Sequence, residues 1–482
     1  MESNLKHKVL AGVVWQYIQR LGGQAVQFIV SIVLTRLLSP DDFGTIALLG
    51  VFIALSNIFI DSGFGNALIQ KKHVDEVDCN SVFFLNISIG LIIYLAVFVC
   101  APWIAEFYNM PDLTILLRVL ALQIIFMAFG CVQSSMLVRQ MKFRYNFYIT
   151  ISGCILSAIL GISMAYNGYG VWSIVCSQLL SQFTYAAGLW LLVGWRPKFL
   201  FSFERIKSLF KYSSKILGGQ IISVLYNNIY NIVIGKRYSA IDLGFYNRGQ
   251  LLPNTAIDTA SNSINSVLFP ALSQVQDDQS RHKEIIRKAE GIISFVIFIL
   301  AAMMFVLAKD IILFLFGEKW LVSVPFMQIV CVTLSISPIS VLNQSIQTSL
   351  GRSDLYLKTM FISKLISIAI IFIGYLIGLY AMIVAGSVAS LITFLITRIY
   401  NKKLIGYTIA EQLSDVGPAV LLSVVSALIT YPITLLGLSN LLTIVLGGLI
   451  GLGSYLVLNY IFKIRPFIYI LSQVSKKKFK IA

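Results

Sequence analysis

Four basic residues lie inside long apolar stretches of this sequence: Arg20, Arg118, Arg248 and Lys364. Two aspartates, Asp61 and Asp258, do the same. A charge held in hydrocarbon costs a few kcal/mol or more, so it is retained where it is paired, wetted or used. Around these charges the polar residues recur at helical spacing. Gln16, Arg20, Gln24, Gln27, Ser31 and Thr35 follow one another at intervals of 4, 4, 3, 4 and 4, which keeps them on one face of a helix. Asn247, Gln250, Asn254, Asp258, Ser261 and Asn265 form a second stripe, and Gln220, Ser223, Asn227 and Asn231 a third. Asn57 and Asp61 stand one turn apart on a fourth helix. Guanidinium and ammonium groups in such a setting bind an anion such as a phosphate, amides suit a solute rich in hydroxyls, and buried carboxylates exchange protons or cations. Amides also join helices to each other within a bilayer, so the stripes are consistent with either a hydrated cavity or helix-to-helix contacts.

The elements that carry these residues are dictated by composition. Of 482 residues, 57% are apolar and only 12% charged, with a mean hydropathy of +0.84; soluble domains carry about 25% charge. Continuous apolar runs, rather than short alternating segments, select helices over a barrel for a lipid-embedded backbone. The sequence predicts an all-α membrane protein with fourteen transmembrane helices: 13–37, 44–68, 81–104, 113–137, 146–166, 169–193, 212–235, 243–272, 286–308, 322–349, 355–377, 379–400, 415–436 and 440–462. The first run lacks a small-residue cleavage site and reads as a retained helix. Alternate connections hold 28 of the 37 Lys and Arg, against five on the other side, which predicts both termini in the cytoplasm. Arg118, close to an outer helix end, reads as a side chain that snorkels. The basic excess of +16 fits topology and contact with anionic lipid rather than nucleic acid.

An internal repeat organises these spans. TRLLSPDDFG at 35–44 matches GKRYSAIDLG at 235–244 through Ser39/Ser239, Asp42/Asp242 and Gly44/Gly244, and LGGQ occurs at both 21–24 and 217–220. Six helices separate the copies, so both enter the membrane in the same direction. That predicts two parallel-repeat six-helix lobes around a central cavity, with two further C-terminal helices. The expected divisions are 1–195 for the first lobe, 196–211 for a basic cytoplasmic linker, 212–404 for the second lobe, and 405–482 for the last two helices and a basic tail.

Phosphate-binding loops, zinc-protease, serine-hydrolase and dinucleotide motifs are absent from the sequence, and six scattered cysteines form no metal or disulfide pattern. No enzyme, cofactor or metal is expected. His7, His73 and His282 read as solvated residues at the cytoplasmic edge.

The stretches GVVWQYIQRLGGQAVQFIVSIVLTRLLSPDDFG at 12–44, DSGFGNALIQKK at 61–72 and GFYNRGQLLP at 244–253 resemble polysaccharide exporters of the Wzx type, in their colanic-acid-exporter-like branch, within the multidrug/oligosaccharidyl-lipid/polysaccharide exporter superfamily. The resemblance covers essentially the whole chain. It implies a flippase of the bacterial cytoplasmic membrane that moves polyprenyl-pyrophosphate-linked oligosaccharide to the outer leaflet by alternating access, with polymerase or glycosyltransferase partners. It also implies that cavity cations meet the pyrophosphate; Arg20 and Arg248 match that role by position, with Lys364 a further candidate. The cavity lining would be Gln16, Gln24, Gln27, Asn57, Gln220, Asn227, Asn231, Asn247, Gln250, Asn254 and Asn265. Asp61 and Asp258 would gate the path, Asp61 in an ion pair with Arg20, or couple it to H+ or Na+. Two other functions stay open: efflux of organic cations, which would favour acidic over basic cavity residues, and a non-transporting scaffold for glycosyltransferases.

Overall fold

Helix accounts for nearly all of the computed structural model, which describes the backbone of residues 2–60, 65, 68–69, 71, 73–276 and 278–478. The side chains of 2–14, 16–18, 20–21, 208–217, 258, 262–267, 269–270, 470 and 473–478 are outside that description. Two compact units divide the chain, Met1–Gly244 and Phe245–Ala482.

In the first unit α1 (Glu2–Leu37), α2 (Pro40–Ile60), α3 (Glu76–Tyr108), α4 (Leu113–Leu120), α5 (Leu122–Arg139), α6 (Phe143–Tyr166) and α7 (Val171–Leu192) are followed by α8 (Phe203–Asn227) and α9 (Ile229–Arg237). α10 (Ala240–Ser273) runs from the first unit into the second. Then come α11 (Gln279–Val306), α12 (Ala308–Leu315), a 3-10 turn at Glu318–Trp320, α13 (Ser323–Ser349), α14 (Ser353–Ile377), α15 (Leu379–Ile405), α16 (Ile409–Thr434), α17 (Asn440–Ile461) and α18 (Arg465–Lys478).

Among the described residues ten helical segments are long and apolar enough to cross a membrane: α2, α3, α4 with α5, α6, α11, and α13 through α17. This is a multi-pass membrane protein. Two predicted spans are each interrupted. The fourth breaks at Ala121, between α4 and α5. The seventh breaks at Asn228, whose side-chain amide and backbone N–H share the Val224 carbonyl, at 2.9 and 3.0 Å. α8 also starts at Phe203, within the stretch expected to be linker. The preceding residues are tied to the start of α3: the Lys198 N–H donates to Asn80 Oδ1 (2.6 Å), the Ser202 N–H donates to Ser81 Oγ (2.9 Å), and Lys198 pairs with Glu76 (2.8 Å). Asp75 caps α3; the Asp78 N–H and then the Arg205 charge hold its carboxyl below the usual carboxylate range.

The repeated Ser-x-x-Asp-x-Gly motif has the same local geometry in both copies. Ser39 Oγ donates to Asp42 Oδ2 at 2.7 Å and accepts from the Asp42 N–H at 3.2 Å, a reciprocal box at the start of α2. Ser239 and Asp242 repeat it at 2.7 and 3.0 Å at the start of α10. Two residues on, the glycines meet the opposite copy: a methyl group on Gly44 would overlap the Ala240 carbonyl, and one on Gly244 would overlap the Pro40 carbonyl. The motif therefore starts two helices and lets their first turns touch backbone to backbone.

This contact predicts that Gly44→Ala destabilises the protein by about 1–3 kcal/mol through overpacking against an unyielding carbonyl. Gly218, in α8, has open space around it, so Gly218→Ala should leave the thermal melting of the detergent-purified chain at or slightly above wild type. Equal melting of the two variants would refute the close approach.

Candidate functional site

The site residues begin with the stripes. In the first unit Gln24 and Gln27 of α1 are exposed, as is Asn227 at the end of α8. Gln27 Nε2 lies 3.9 Å from Cys154 Sγ on α6, the helix against which α1 packs. α2 packs against α8, and each brings one buried oxygen with no hydrogen-bond partner among the described residues, Asn57 Oδ1 and Gln220 Oε1. Asn231 is half-buried and donates to Asn228 Oδ1 at 3.1 Å. A ladder the stripes did not reveal crosses the same unit: Gln19 donates to Thr150 (3.2 Å), Asn146 to Gln19 (3.3 Å), and the Tyr185 hydroxyl to Asn146 (3.0 Å).

In the second unit Asn247, Arg248, Gln250 and Asn254 are half-buried along α10, and Gln250 donates to Asn247 Oδ1 at 3.0 Å. Lys364 is half-buried on α14. The side chains of Gln16, Arg20, Asp61, Asp258 and Asn265 lie outside the described residues, and the expected Arg20–Asp61 ion pair with them. Arg118 donates to the Phe98 carbonyl at 3.1 Å with its guanidinium 4.1 Å from that ring's centre, so it is anchored rather than simply reaching for water.

The second unit also holds an apolar groove of about 760 Å³, walled by hydrocarbon side chains including Phe298, Phe305, Ile336, Phe394, Val420 and Leu428. Near one end of it is a polar cluster that the spacing analysis missed. Glu290, only 1% exposed, accepts from the Tyr407 hydroxyl at 2.6 Å, and the same hydroxyl is 2.9 Å from Asp415. One hydroxyl proton thus serves two carboxyl groups. Asp415 accepts a bidentate pair from Arg287 at 2.7 and 2.8 Å, and Lys283 pairs with Glu411 at 2.8 Å. Arg398, 2% exposed, lies over the Tyr407 ring at 5.3 Å. Burial, and then the charge of Glu290, push the Tyr407 phenol up. The cluster clamps the start of α11 to the turn before α16. His282, expected in solvent, is instead fully buried, with a ring nitrogen 3.0 Å from Ser349 Oγ; both face an interior that α11 and α13 close around them. The signal for the cluster was available: Glu290 and Arg398 are charges within the predicted spans 286–308 and 379–400.

Membrane-length helices with amides and cations along them are the build of a membrane transport protein. The description "Polysaccharide biosynthesis protein" belongs to a family that matches residues 33–325, and this chain is a member of it. It is 28% identical over 334 residues to the succinoglycan biosynthesis transport protein ExoT of Rhizobium meliloti, covering 68% of this chain and 66% of that protein. It is 23% identical to the lipopolysaccharide biosynthesis protein WzxC of Escherichia coli, covering 83% and 80%. In fold it is similar to the lipid II flippase MurJ (TM-score 0.75, 16% identity, 94% of this chain and 98% of that one) and to an inward-facing multidrug resistance MATE transporter (TM-score 0.60, 15% identity, 82% and 98%). The chain is a transport protein and not an enzyme.

The cluster predicts that Tyr407→Phe, which leaves Glu290 without its donor, destabilises the purified protein by about 1–3 kcal/mol. Thermal melting unchanged from wild type would show that the hydroxyl supports nothing.

Proposed function

We propose that this protein flips a polyprenyl-pyrophosphate-linked oligosaccharide from the cytoplasmic to the outer leaflet of the bacterial cytoplasmic membrane by alternating access. The observation that carries this reading is the exposure of Gln24, Gln27 and Asn227 on helices of membrane length. Amides against lipid tails lose their hydrogen bonds, so these line a hydrated path. A glycan needs such a path, and a pyrophosphate needs cations beside it; Arg248 and Lys364 are supplied by α10 and α14, and Arg20 by α1. The apolar groove of the second unit suits a polyprenyl chain. Family membership, and the likeness in fold to a flippase of a lipid-linked precursor, support the same reading.

In this reading α1, α7, α8 with α9, and α10 join the ten apolar segments to make fourteen spans in two parallel six-helix lobes plus α16 and α17, with both termini cytoplasmic. Asp61 and Asp258 couple movement to H+ or Na+, and polymerase and glycosyltransferases act on either side of the step. The excess of cavity cations over carboxylates favours an anionic solute over an organic cation.

Surface polysaccharide should be lost, with lipid-linked precursor accumulating, in a knockout of the gene. Arg20→Ala and Arg248→Ala, expressed at wild-type level, should restore less than a tenth of the polymer, and Arg248→Lys should restore more than Arg248→Ala because a point charge replaces a fork. Full rescue by both alanine variants would remove the arginines from the mechanism. In addition, Asp258→Asn should abolish the dependence of flipping on an imposed ion gradient in vesicles; an unaltered gradient response would exclude Asp258 as the coupling group.

A further inference from the structure

Away from the stripes and the groove, the second unit has a separate cavity of about 590 Å³ where the starts of α11 and α16 meet the joint between α17 and α18. Its charged walls are Arg287, Lys288, Lys463 and Arg465, against Glu284 and Asp415. Two of the cations are neutralised in place: Arg287 by Asp415 at 2.7 Å and Lys288 by Glu284 at 2.6 Å. Lys463 and Arg465 have no acidic partner among the described residues. The cavity therefore carries an excess of two positive charges.

The joint that presents them is held firmly. Phe467 packs on Phe295 with ring centres 5.9 Å apart, and Pro466 lies so close to Gly291 that an added methyl there would come within 2.8 Å of its Cγ. α17 ends in a reciprocal pair of backbone bonds, Lys463 N–H to Tyr460 O (3.2 Å) and Ile464 N–H to Asn459 O (3.1 Å). In that helix stop the left-handed residue is usually glycine. Here it is Lys463, at φ 49°, so a conformational cost is borne by a residue whose side chain adds a cation to the cavity wall. Immediately beyond, α18 carries a continuous apolar run from Phe467 to Leu471, and the sequence continues into Lys476, Lys477 and Lys478, a combination suited to a helix lying at a membrane surface.

We propose that this cavity binds the phosphate of an anionic phospholipid, in the cytoplasmic leaflet under the orientation proposed above. The shared chemistry is a phosphate oxyanion accepting from Lys463 and Arg465. The lipid is favoured over a free anion because the cavity opens beside a surface-lying helix with exposed Ile468 and Leu471 and a Tyr469 rim. Basic pockets at this level between transmembrane helices hold anionic head groups.

The experiment is native mass spectrometry of the full chain in detergent, titrated with phosphatidylglycerol, phosphatidylcholine or inorganic phosphate. Wild type should retain phosphatidylglycerol at least tenfold more tightly than phosphatidylcholine. Lys463→Gly, which relieves the left-handed backbone and so keeps the fold, and Arg465→Gln should each weaken phosphatidylglycerol at least threefold while leaving phosphatidylcholine unchanged. Equal retention of the two lipids, or variants that match wild type, would overturn the site. Full displacement by millimolar inorganic phosphate would overturn the lipid assignment in favour of a free anion. The readout is binding alone, so it stands or falls independently of flippase activity.

Discussion

Hydrocarbon does not solvate polar groups, and the rest of this structure follows from that constraint. It forces the backbone into helices that satisfy their own hydrogen bonds, and it gives every polar side chain along those helices a position that must be accounted for. Some are accounted for by partners within the protein. The Gln19, Asn146 and Tyr185 ladder ties three helices of the first unit, and Glu290, Tyr407, Asp415 and Arg287 tie α11 to α16. Others are not. Gln24 and Asn227 are exposed, while Asn57 Oδ1 and Gln220 Oε1 are buried with no partner among the described residues. In the proposed flippase this second group would line the transport path, because a polar solute can use what the protein itself does not satisfy.

The repeat has two separable parts. Ser39, Asp42 and Gly44, like Ser239, Asp242 and Gly244, are explained by a helix start and a close backbone contact. Nothing in that geometry needs a ligand. The neighbouring amide stripes are explained only in part by such contacts: Asn231 and Gln250 have amide partners, whereas Asn57 Oδ1 and Gln220 Oε1 are buried with none among the described residues. A motif shared by two parts of a chain can thus be purely architectural.

Much of the helical build was legible in the sequence because apolar runs and caps are local signals: α3, α6, α13, α14 and α17 fall within a few residues of their expected places. The break at Asn228 was not, since a single amide choosing a backbone carbonyl over solvent leaves no mark on hydropathy. The polar stripes were legible as helical spacing. The Glu290 cluster was missed for a different reason: its partner Tyr407 lies 117 residues away, and a carboxylate near a helix start resembles an interface residue until the turn that covers it is known. His282 was misread in the same way, as its burial comes from Ser349 on another helix.

Transbilayer movement of the lipid-linked glycan can be followed directly. The purified chain would be reconstituted into vesicles bearing a polyprenyl-pyrophosphate oligosaccharide on one leaflet, with its appearance on the other followed by a glycan-specific probe. A flippase that holds its ligand through cations should give movement that depends on the protein, that stops when the pyrophosphate is replaced by a neutral linkage, and that is lost in Arg248→Ala. Movement indifferent to both the linkage and Arg248, or none by a correctly folded protein with coupling-ion gradients supplied, would contradict it.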